Sequence, residues 1–490
     1  MVTDVALSGD TNVMFRRFIV AHGTAVWRSL CVAATIGLLG ASATSGNVAP
    51  FPGVRILPSQ ASQDDIAALV MYGQGRFVDA IAYANHVRAL YPDDIIIVRI
   101  RAAARDAIAD YRGVIDDETI VLASDPDNSE ALTLRAQAHF NLDENEPAIA
   151  DAARAMALDP SIIMAHQIHG AASYEKDDYA TAVADETAAI ALTKGSAFSY
   201  KYRAWSYYML DRYPEAIADA NAALAISADD TWALEVLGGA KFYIDDYKGA
   251  VSDESRAIKI DGKDAYALKY RGAAEFNLRD YDAAIADETA AIAIDPTDSF
   301  AFRTRGAAHY RSGDLREALS DENAALTIDP KDELALQYRA LTKLRVADYT
   351  GTIADASAAL AADPTDTHAR DARAAGYYLT GKSALALADI AQSLKTNPQD
   401  GYGLALRSTI EMMNRDFNAA VTDAKAAIAL DAAGVEVYEA LGTGYDALGQ
   451  CAQATKAFDA ALKIASDPTR VKADIAAHRR ELAAQGSKCG

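Results

Sequence analysis

The chain has little of what disulfide-rich, metal-binding and nucleic-acid-binding proteins need. Its 490 residues include three cysteines, too few for a disulfide scaffold or a zinc ribbon. Cations are in deficit, because 47 Lys and Arg residues stand against 69 Asp and Glu residues. The resulting net charge of −22 repels phosphate backbones and argues against nucleic acid as a partner. Prolines (13) and glycines (29) are also modest in number, which favours a helical protein.

A short apolar run lies near the N-terminus. Arg16, Arg17 and Arg28 precede the uncharged sequence LCVAATIGLLG at 30–40, and ASA follows at 41–43. A basic region, an apolar core and small residues one apart form the pattern of a secretory signal peptide. We therefore predict that residues 1–43 are a signal peptide and that the protein is exported, either to the periplasm or as a secreted protein.

The residues around this run leave an alternative open. No charged residue occurs between Ser29 and Val54, so a segment of about residues 29–48 could instead remain as a membrane anchor. Such an anchor would be the protein's only attachment to a membrane. Residues 44–60 contain Pro50, Pro52 and Pro58 without helical periodicity, which predicts a linker.

The rest of the chain repeats itself every 34 residues. Seven prolines are separated by multiples of 34, and ten aspartates follow the same interval without a gap. The prolines are Pro92, Pro126, Pro160, Pro296, Pro330, Pro364 and Pro398. The aspartates are Asp117, Asp151, Asp185, Asp219, Asp253, Asp287, Asp321, Asp355, Asp389 and Asp423. Extending this register predicts about twelve repeats over residues 61–468.

Each repeat carries two helical patterns. In the repeat at 265–298, the sequence AYALKYRGAAEFNL places Leu268, Gly272 and Phe276 at helical spacing, and DAAIADETAAIAID does the same with Ala284 and Ala291. A short turn at 279–280 separates the two patterns, and a proline follows the second one. Neither helix has enough apolar surface to fold alone, so the repeats must stack.

These features resemble the tetratricopeptide repeat family, in its exported bacterial form. The residues that carry the resemblance in this repeat are Leu268, Gly272, Phe276, Tyr281, Ala284, Ala291 and Pro296, with their equivalents elsewhere. The resemblance implies an all-α fold, an α-solenoid in which helix-turn-helix repeats form a right-handed superhelix. It also implies that the first helix of each pair lines a concave groove, and that the protein binds proteins or peptides and is not an enzyme.

The chain departs from the family pattern in its second helices. Glu118, Glu186, Glu254, Glu288 and Glu322 stand where the family often has an aromatic or apolar residue. Arginines occur sixteen residues before the recurring aspartates, at Arg135, Arg203, Arg271, Arg305, Arg339, Arg373 and Arg407. We predict that each arginine pairs with the Asp-Glu carboxylates of its own repeat across the helix pair. The alternative is an acidic stripe that binds cations or basic peptides.

Aromatic and basic residues recur on the first helices and predict a ligand-binding groove. The candidate groove residues are Phe198, Lys201, Trp205, Tyr208, Trp232, Phe242, Tyr266, Lys269, Phe300, Arg303 and Tyr310. Arg311 and Arg345 are interspersed among them. Aromatic rings beside cations in an acidic protein favour an extended peptide with carboxylate groups, or a saccharide, as the ligand. The alternative is that these rings only seal neighbouring repeats.

The C-terminal residues 469–490 are predicted to be a capping helix and tail. The sequence TRVKADIAAHRRELAAQ has Val471, Ile475, Ala476 and Leu482 on one side, which would cover the last repeat. An antiparallel capping helix returns the chain towards Cys451, so Cys489 is the candidate partner for a disulfide. Two unpaired thiols are the alternative.

No other constellation of residues predicts chemistry. His166 and His169 lack a clear third metal ligand, and the glycines of GTGYDALG at 442–449 fall at packing or turn positions of the repeat. We therefore predict no catalytic residues, no metal site and no cofactor. The function expected is a non-catalytic protein–protein interaction scaffold of the bacterial cell envelope. The alternative is a periplasmic protein that binds a saccharide or peptide ligand by itself. The partner, the pathway and the oligomeric state are left undetermined.

Overall fold

The computed structural model describes residues 62–193, 195–484 and 489, and every regular element in these residues is an α-helix. The predicted signal peptide, the alternative anchor and the linker lie outside the described residues. The chain divides into two compact units, residues 1–262 and 263–490, which are described separately. None of the described helices combines the length and the apolar character that crossing a membrane requires.

The described part of the first unit consists of six consecutive helix pairs. The helices are α1 (Gln63–Gly73), α2 (Phe77–Leu90), α3 (Ile95–Ala107), α4 (Tyr111–Ser124), α5 (Ser129–Asn141), α6 (Asn145–Leu158), α7 (Ile163–Glu175), α8 (Tyr179–Thr193), α9 (Ala197–Met209), α10 (Tyr213–Ile226), α11 (Thr231–Tyr243) and α12 (Tyr247–Ile260). Odd-numbered helices are the first of each pair. Each helix contacts the next one along the chain.

The described part of the second unit contains six further pairs and one additional helix. These are α13 (Ala265–Asn277), α14 (Tyr281–Ile294), α15 (Ser299–Ser312), α16 (Leu315–Ile328), α17 (Glu333–Arg345), α18 (Tyr349–Ala362), α19 (Thr367–Leu379), α20 (Ser383–Thr396), α21 (Gly401–Met413), α22 (Phe417–Ala429), α23 (Val435–Ala447), α24 (Cys451–Ile464) and α25 (Pro468–Ala484). The predicted all-α solenoid of helix pairs is therefore confirmed, and the pairs run from Gln63 to Ile464.

Within each unit, the first helices lie on the inner side of the curve. Successive first helices contact one another, as α9 does with α7 and α11. Contacts of comparable extent between successive second helices are absent from the described chain. The first helices are therefore closer together, which gives each unit an inner face made of first helices.

The first helices begin at an aspartate or asparagine in most repeats. Asp264, for example, accepts a hydrogen bond from the backbone N–H of Ala267 at 3.0 Å, and Asp230 does the same for Ala233 at 3.1 Å. These side chains satisfy N–H groups that the first helical turn leaves without a partner. A helix start of this kind recurs in most of the described repeats and marks the same position of each one.

The turn between the two helices of a pair always contains a residue in the left-handed conformation. Glycine occupies this position in four repeats, at Gly75, Gly313, Gly381 and Gly449. In the others the residue is Ala109, Asp143, Asp177, Asp211, Asp245, Arg279, Ala347 or Arg415, each with φ between 57° and 67°. Left-handed non-glycine residues are unfavourable, and aspartate tolerates the conformation better than most residues do. Helix packing therefore fixes this turn where the sequence alone would not.

The helix α25 covers the end of the second unit. Val471, Ile475 and Leu482 are buried, and the first two pack against Phe458 and its neighbours in α24. Ala476, which was predicted to share this side, is exposed, because it follows Ile475 directly and points away from α24. A disulfide joins Cys451 to Cys489, with 5.1 Å between their Cα atoms. The predicted pairing is thus present in the structure, and it ties the tail to the first residue of α24.

Candidate functional site on the first helices

The recurring arginines pair with the recurring aspartates, as the sixteen-residue spacing predicts. Nε of Arg271 donates to Oδ2 of Asp287 at 2.6 Å, and Nη2 donates to Oδ1 at 2.7 Å. The same two-bond geometry occurs at the other predicted arginines, which are Arg135, Arg203, Arg305, Arg339, Arg373 and Arg407. In the fourth repeat a histidine takes this place, with Nδ1 of His169 2.6 Å from Oδ2 of Asp185.

In several repeats, the third guanidinium nitrogen, Nη1, donates a hydrogen bond to a side chain of the preceding repeat. Nη1 of Arg305 donates to the hydroxyl of Thr289, and Nη1 of Arg203 donates to Thr187. The acceptor lies two residues after the aspartate of the preceding repeat. Sequence reasoning missed this role, although a Thr, Ser or Asn after Asp-Glu was its signal. In the sequence Asp-Glu-Thr, the aspartate therefore accepts hydrogen bonds from the arginine of its own repeat, and the threonine accepts one from the arginine of the next repeat.

The glutamates are not part of this ion-pair ladder, so that part of the prediction is wrong. Glu118 and Glu288 are fully buried and, within the described residues, form no hydrogen bond through their side chains. Adjacent residues on a helix point in directions about 100° apart, so a glutamate cannot face the arginine that its neighbouring aspartate binds. It faces the close-packed first helix instead: Glu288 lies against Gly272.

Burial changes the charge of these glutamates. Loss of solvent raises the pKa of Glu118 to about 8 and that of Glu322 to about 8, and it raises the pKa of Glu186 and Glu288 well above the usual range. Thr342 donates a hydrogen bond to Oε1 of Glu322 at 2.7 Å. A buried, neutral carboxyl group does not present negative charge to a ligand, so the alternative of a cation-binding stripe finds no support here.

The densest aromatic cluster lies on the inner face of the first unit. Trp205 is fully buried, and its ring stacks on Trp232 with 5.8 Å between centroids. Tyr202 lies between Phe198 and Trp232, at 4.6 Å and 4.9 Å. Phe198 and Trp232 are half-buried, and they form the accessible surface of this cluster. Trp205, by contrast, packs as core and supports the ring of Trp232.

Two further candidates of the first unit are also core residues. Tyr208 is 6% exposed and packs edge-on against Trp205, and Phe242 is 5% exposed and packs against Tyr247. Tyr208 also contacts Tyr243 of the next repeat, at 5.9 Å between centroids, which agrees with the alternative that the aromatic rings seal neighbouring repeats.

The lysine of this cluster is already neutralised. Nζ of Lys201 lies 2.8 Å from a carboxylate oxygen of Asp230, and both side chains are at most 10% exposed. Asp230 stands at the start of the next first helix, 29 residues later. The expectation that Lys201 offers a free cation to a ligand is therefore wrong, because the following repeat supplies its counter-ion.

The second unit repeats this arrangement twice. Lys269 pairs with Asp298 at 2.8 Å, and Arg303 pairs with Asp332 at 3.1 Å. Burial by itself would raise the pKa of Asp298, but Lys269 and the backbone N–H groups at the helix start outweigh it and lower that pKa. Both cations are thus neutralised by ion pairs, and these ion pairs connect successive repeats. In the sequence, a basic residue followed by an aspartate 29 positions later was the overlooked signal for these ion pairs.

The aromatic candidates of the second unit divide between core and surface. Phe300 is 6% exposed and lies beneath the cations of Lys269 and Arg303. Tyr266 is half-buried and contacts the buried ring of Tyr270 at 4.3 Å. Tyr310 is half-buried and lies 5.9 Å from the ring of Tyr338. The ligand-binding role of these residues stays a prediction.

A buried aromatic layer under the accessible one was not predicted. Tyr202, Tyr270 and Tyr338 each occupy the sixth position of a first helix and are at most 5% exposed. Their signal in the sequence is an aromatic or apolar residue four positions earlier, one helical turn away. Tyr402, the second residue of α21, is 50% exposed and was not among the predicted groove residues.

The remaining candidates have structural explanations. His166 and His169 both face Asp185, and the described residues contain no group of three side chains that could hold a metal ion. A Cβ atom at Gly442 would lie 2.5 Å from the ring of Phe458, so this glycine permits close packing. Gly449 has φ +73° and forms a turn. Both glycines thus have the packing and turn roles that the repeat predicts.

Comparison with known proteins gives similarity in fold. No protein-family model matches the sequence, and no curated protein matches it either. Similar solved structures include the APC/C hetero-tetramer Cut9-Hcn1, at 12% identity over 78% of this chain and 89% of that chain, with a TM-score of 0.48. A tetratricopeptide repeat protein from Parabacteroides merdae is 18% identical over 50% of this chain and 97% of that chain, with a TM-score of 0.39.

YrrB, a TPR protein with an unusual peptide-binding site, is 21% identical over 38% of this chain and 95% of that chain, with a TM-score of 0.33. At these values the likeness concerns the helical-repeat fold and says nothing of partners. The internal repeat of the chain agrees with this fold. Twelve helix pairs follow a 34-residue period, with the small and apolar residues of the family pattern at their contacts. The described residues thus have the fold of an α-solenoid of helix pairs, similar to that of tetratricopeptide repeat proteins.

Proposed function

We propose that this protein is a non-catalytic interaction scaffold of the bacterial cell envelope that binds an extended protein or peptide segment along its first helices. The observation that carries the proposal is a recurring accessible ring at the second residue of the first helix. Phe198 and Trp232 occupy this position in the first unit, and Tyr266 and Tyr402 occupy it in the second. Large rings that remain accessible on a rigid surface are typical anchors for a protein partner.

The residues beneath these rings make the surface rigid. Buried tyrosines at the sixth position and ion pairs such as Lys201–Asp230 hold successive first helices together. A preorganised surface loses little conformational entropy on binding, which favours an extended ligand. Assignment to the cell envelope has separate support: the predicted signal peptide at 1–43, and the Cys451–Cys489 disulfide, since disulfides persist in oxidising compartments.

Partner capture from an envelope extract tests the proposal. We expect the full mature protein to retain a partner at a fixed stoichiometry, and Phe198→Ala with Tyr266→Ala to lose it while helicity is kept. Val78→Ala is the matched control, since Val78 is also the second residue of its helix and is 69% exposed, but on a second helix. Equal capture by all three proteins would contradict binding at this face. Binding of an oligosaccharide without any protein partner would support the alternative of a stand-alone ligand-binding protein.

A further inference from the structure

Two arginines of the second unit differ from the other cations of the inner face. Arg311 and Arg345 each occupy the thirteenth position of a first helix, in α15 and α17, and both are exposed. Within the described part of the chain, neither of them forms an ion pair. In contrast, Lys269 of α13 and Arg303 of α15 are both paired with aspartates. Unpaired cations on one surface are unusual in a chain with a net charge of −22.

Both guanidinium groups are positioned by the same tyrosine. Cζ of Arg345 lies 5.3 Å from the centre of the Tyr310 ring, and Cζ of Arg311 lies 6.0 Å from it. Nη1 of Arg345 donates a hydrogen bond to the backbone carbonyl of Tyr310 at 3.1 Å. The two cations thus lie close to one ring, and each keeps N–H groups that can donate hydrogen bonds to a planar carboxylate.

We infer that Arg311, Arg345 and Tyr310 form a binding site for an acidic peptide segment, in which both guanidinium groups bind carboxylates of Asp or Glu side chains. This inference rests on the proposed function and specifies its partner. Charge complementarity favours a carboxylate ligand, since these two cations are exposed and form no ion pair in the described residues, while Lys269 and Arg303 are neutralised within the fold. The ring of Tyr310 favours a peptide, because an apolar side chain between the carboxylates can pack against it.

A labelled peptide with matched controls tests the inference. The probe is a fluorescein-labelled Gly-Asp-Glu-Phe-Glu-Asp-Gly peptide, and its Asn and Gln analogue is the neutral comparison. Fluorescence anisotropy with the full mature protein should show binding of the acidic peptide alone, weakened by salt between about 50 and 300 mM. Arg311→Ala with Arg345→Ala should weaken binding at least about tenfold, as expected for lost charge-assisted hydrogen bonds. Arg316→Ala, which removes a 92% exposed arginine from a second helix, should change it less than about twofold.

Four outcomes would overturn the inference. They are no binding of the acidic peptide by the wild type, equal binding by the double variant, and equal binding of the neutral analogue. The fourth is tighter, arginine-dependent binding of a uronate oligosaccharide, which would assign the site to an anionic saccharide. Melting curves of the double variant separate a binding role from mere stabilisation of the helix ends. If the partner captured from envelope extract is kept by the double variant, the scaffold function stands and this site does not take part in it.

Discussion

Gly238 leaves the space that the side chain of Glu254 fills in the adjacent helix. A Cβ atom at Gly238 would lie 2.3 Å from Oε1 of Glu254 and 2.8 Å from its Cγ, both inside van der Waals contact. Gly170 and Glu186 have the same relationship, as do Gly272 and Glu288. A glycine in each of these first helices thus accommodates a fully buried carboxyl group in its pair.

This relationship predicts that Gly238→Ala destabilises the protein by about 1–3 kcal/mol, the usual effect of overpacking a filled interior. Urea denaturation measures the change in the free energy of unfolding. Gly73→Ala is the control, because a Cβ atom there meets nothing within 4 Å. Adding Glu254→Ala to Gly238→Ala should recover part of the loss. Additive effects of the two substitutions would show that the side chains do not compete for one space.

Stability should fall as pH rises through the range in which the buried glutamates titrate. In the unfolded chain a glutamate has a pKa near 4.5, whereas Glu118 and Glu322 have pKa values of about 8 in the folded protein. The folded state therefore binds more protons, so stability is full below pH 4.5 and declines between about pH 4.5 and 8. Glu322→Gln should flatten this decline, measured as urea midpoints at several pH values. Glu317→Gln, an exposed control, should leave the pH dependence as in the wild type.

Removal of one ladder arginine should destabilise more than removal of a surface arginine. Arg271→Ala leaves the nearly buried carboxylate of Asp287 without its two-bond partner. We expect a loss of about 2–3 kcal/mol, less than the ~3–5 kcal/mol of a fully buried pair, because the arginine is 22% exposed. Arg316→Ala should change the denaturation midpoint little. An unchanged midpoint for Arg271→Ala would mean that the ladder does not stabilise the fold.

Reduction of the disulfide should loosen the C-terminal helix. The bond closes a loop with a sequence separation of 38 residues, for which chain entropy gives about 3–4 kcal/mol of stabilisation. We expect faster amide hydrogen exchange across α25 after reduction, and unchanged exchange in α13. Cys451→Ser should reproduce the effect without reductant. Identical exchange in oxidised and reduced protein would show that packing of Val471 and Ile475 alone holds this helix.

Export predicts a specific mature N-terminus. We expect the protein purified from its host to begin near Thr44 and to fractionate outside the cytoplasm, since small residues at 41–43 follow the apolar run. N-terminal sequencing measures this directly. An intact N-terminus in a membrane fraction would replace the signal peptide with the alternative anchor at about residues 29–48.

The sequence was sufficient for the helix pairs and for the Arg–Asp ladder. The period of 34 defines the repeats, and a spacing of sixteen places Arg271 opposite Asp287 once the helices are antiparallel. The sequence was not sufficient to predict the contacts of Glu288, because the direction of this side chain within the helix pair depends on the space left by Gly272. Nor did it separate Trp205 from Trp232, since both are aromatic residues in first helices and only packing buries one of them.

The cations of the inner face show the same limit. Lys269 and Arg311 are both basic residues of first helices, and composition gives no reason to treat them differently. The difference is Asp298, which starts the next first helix and reaches Lys269, while no described carboxylate pairs with Arg311. Whether a basic side chain is available to a ligand therefore depends on the carboxylates that the fold places near it.

The hydrogen bonds from one repeat's arginine to the hydroxyl of the preceding repeat bear on cooperativity. In a linear array, the free energy of the interface between neighbours decides how many repeats unfold together. Arg305–Thr289 and Arg339–Asn323 strengthen two successive interfaces in the second unit. Leu237 and His169 stand where such arginines would be in the first unit, so the interfaces before them lack this link. Within the first unit, partial unfolding should therefore begin at these two repeats.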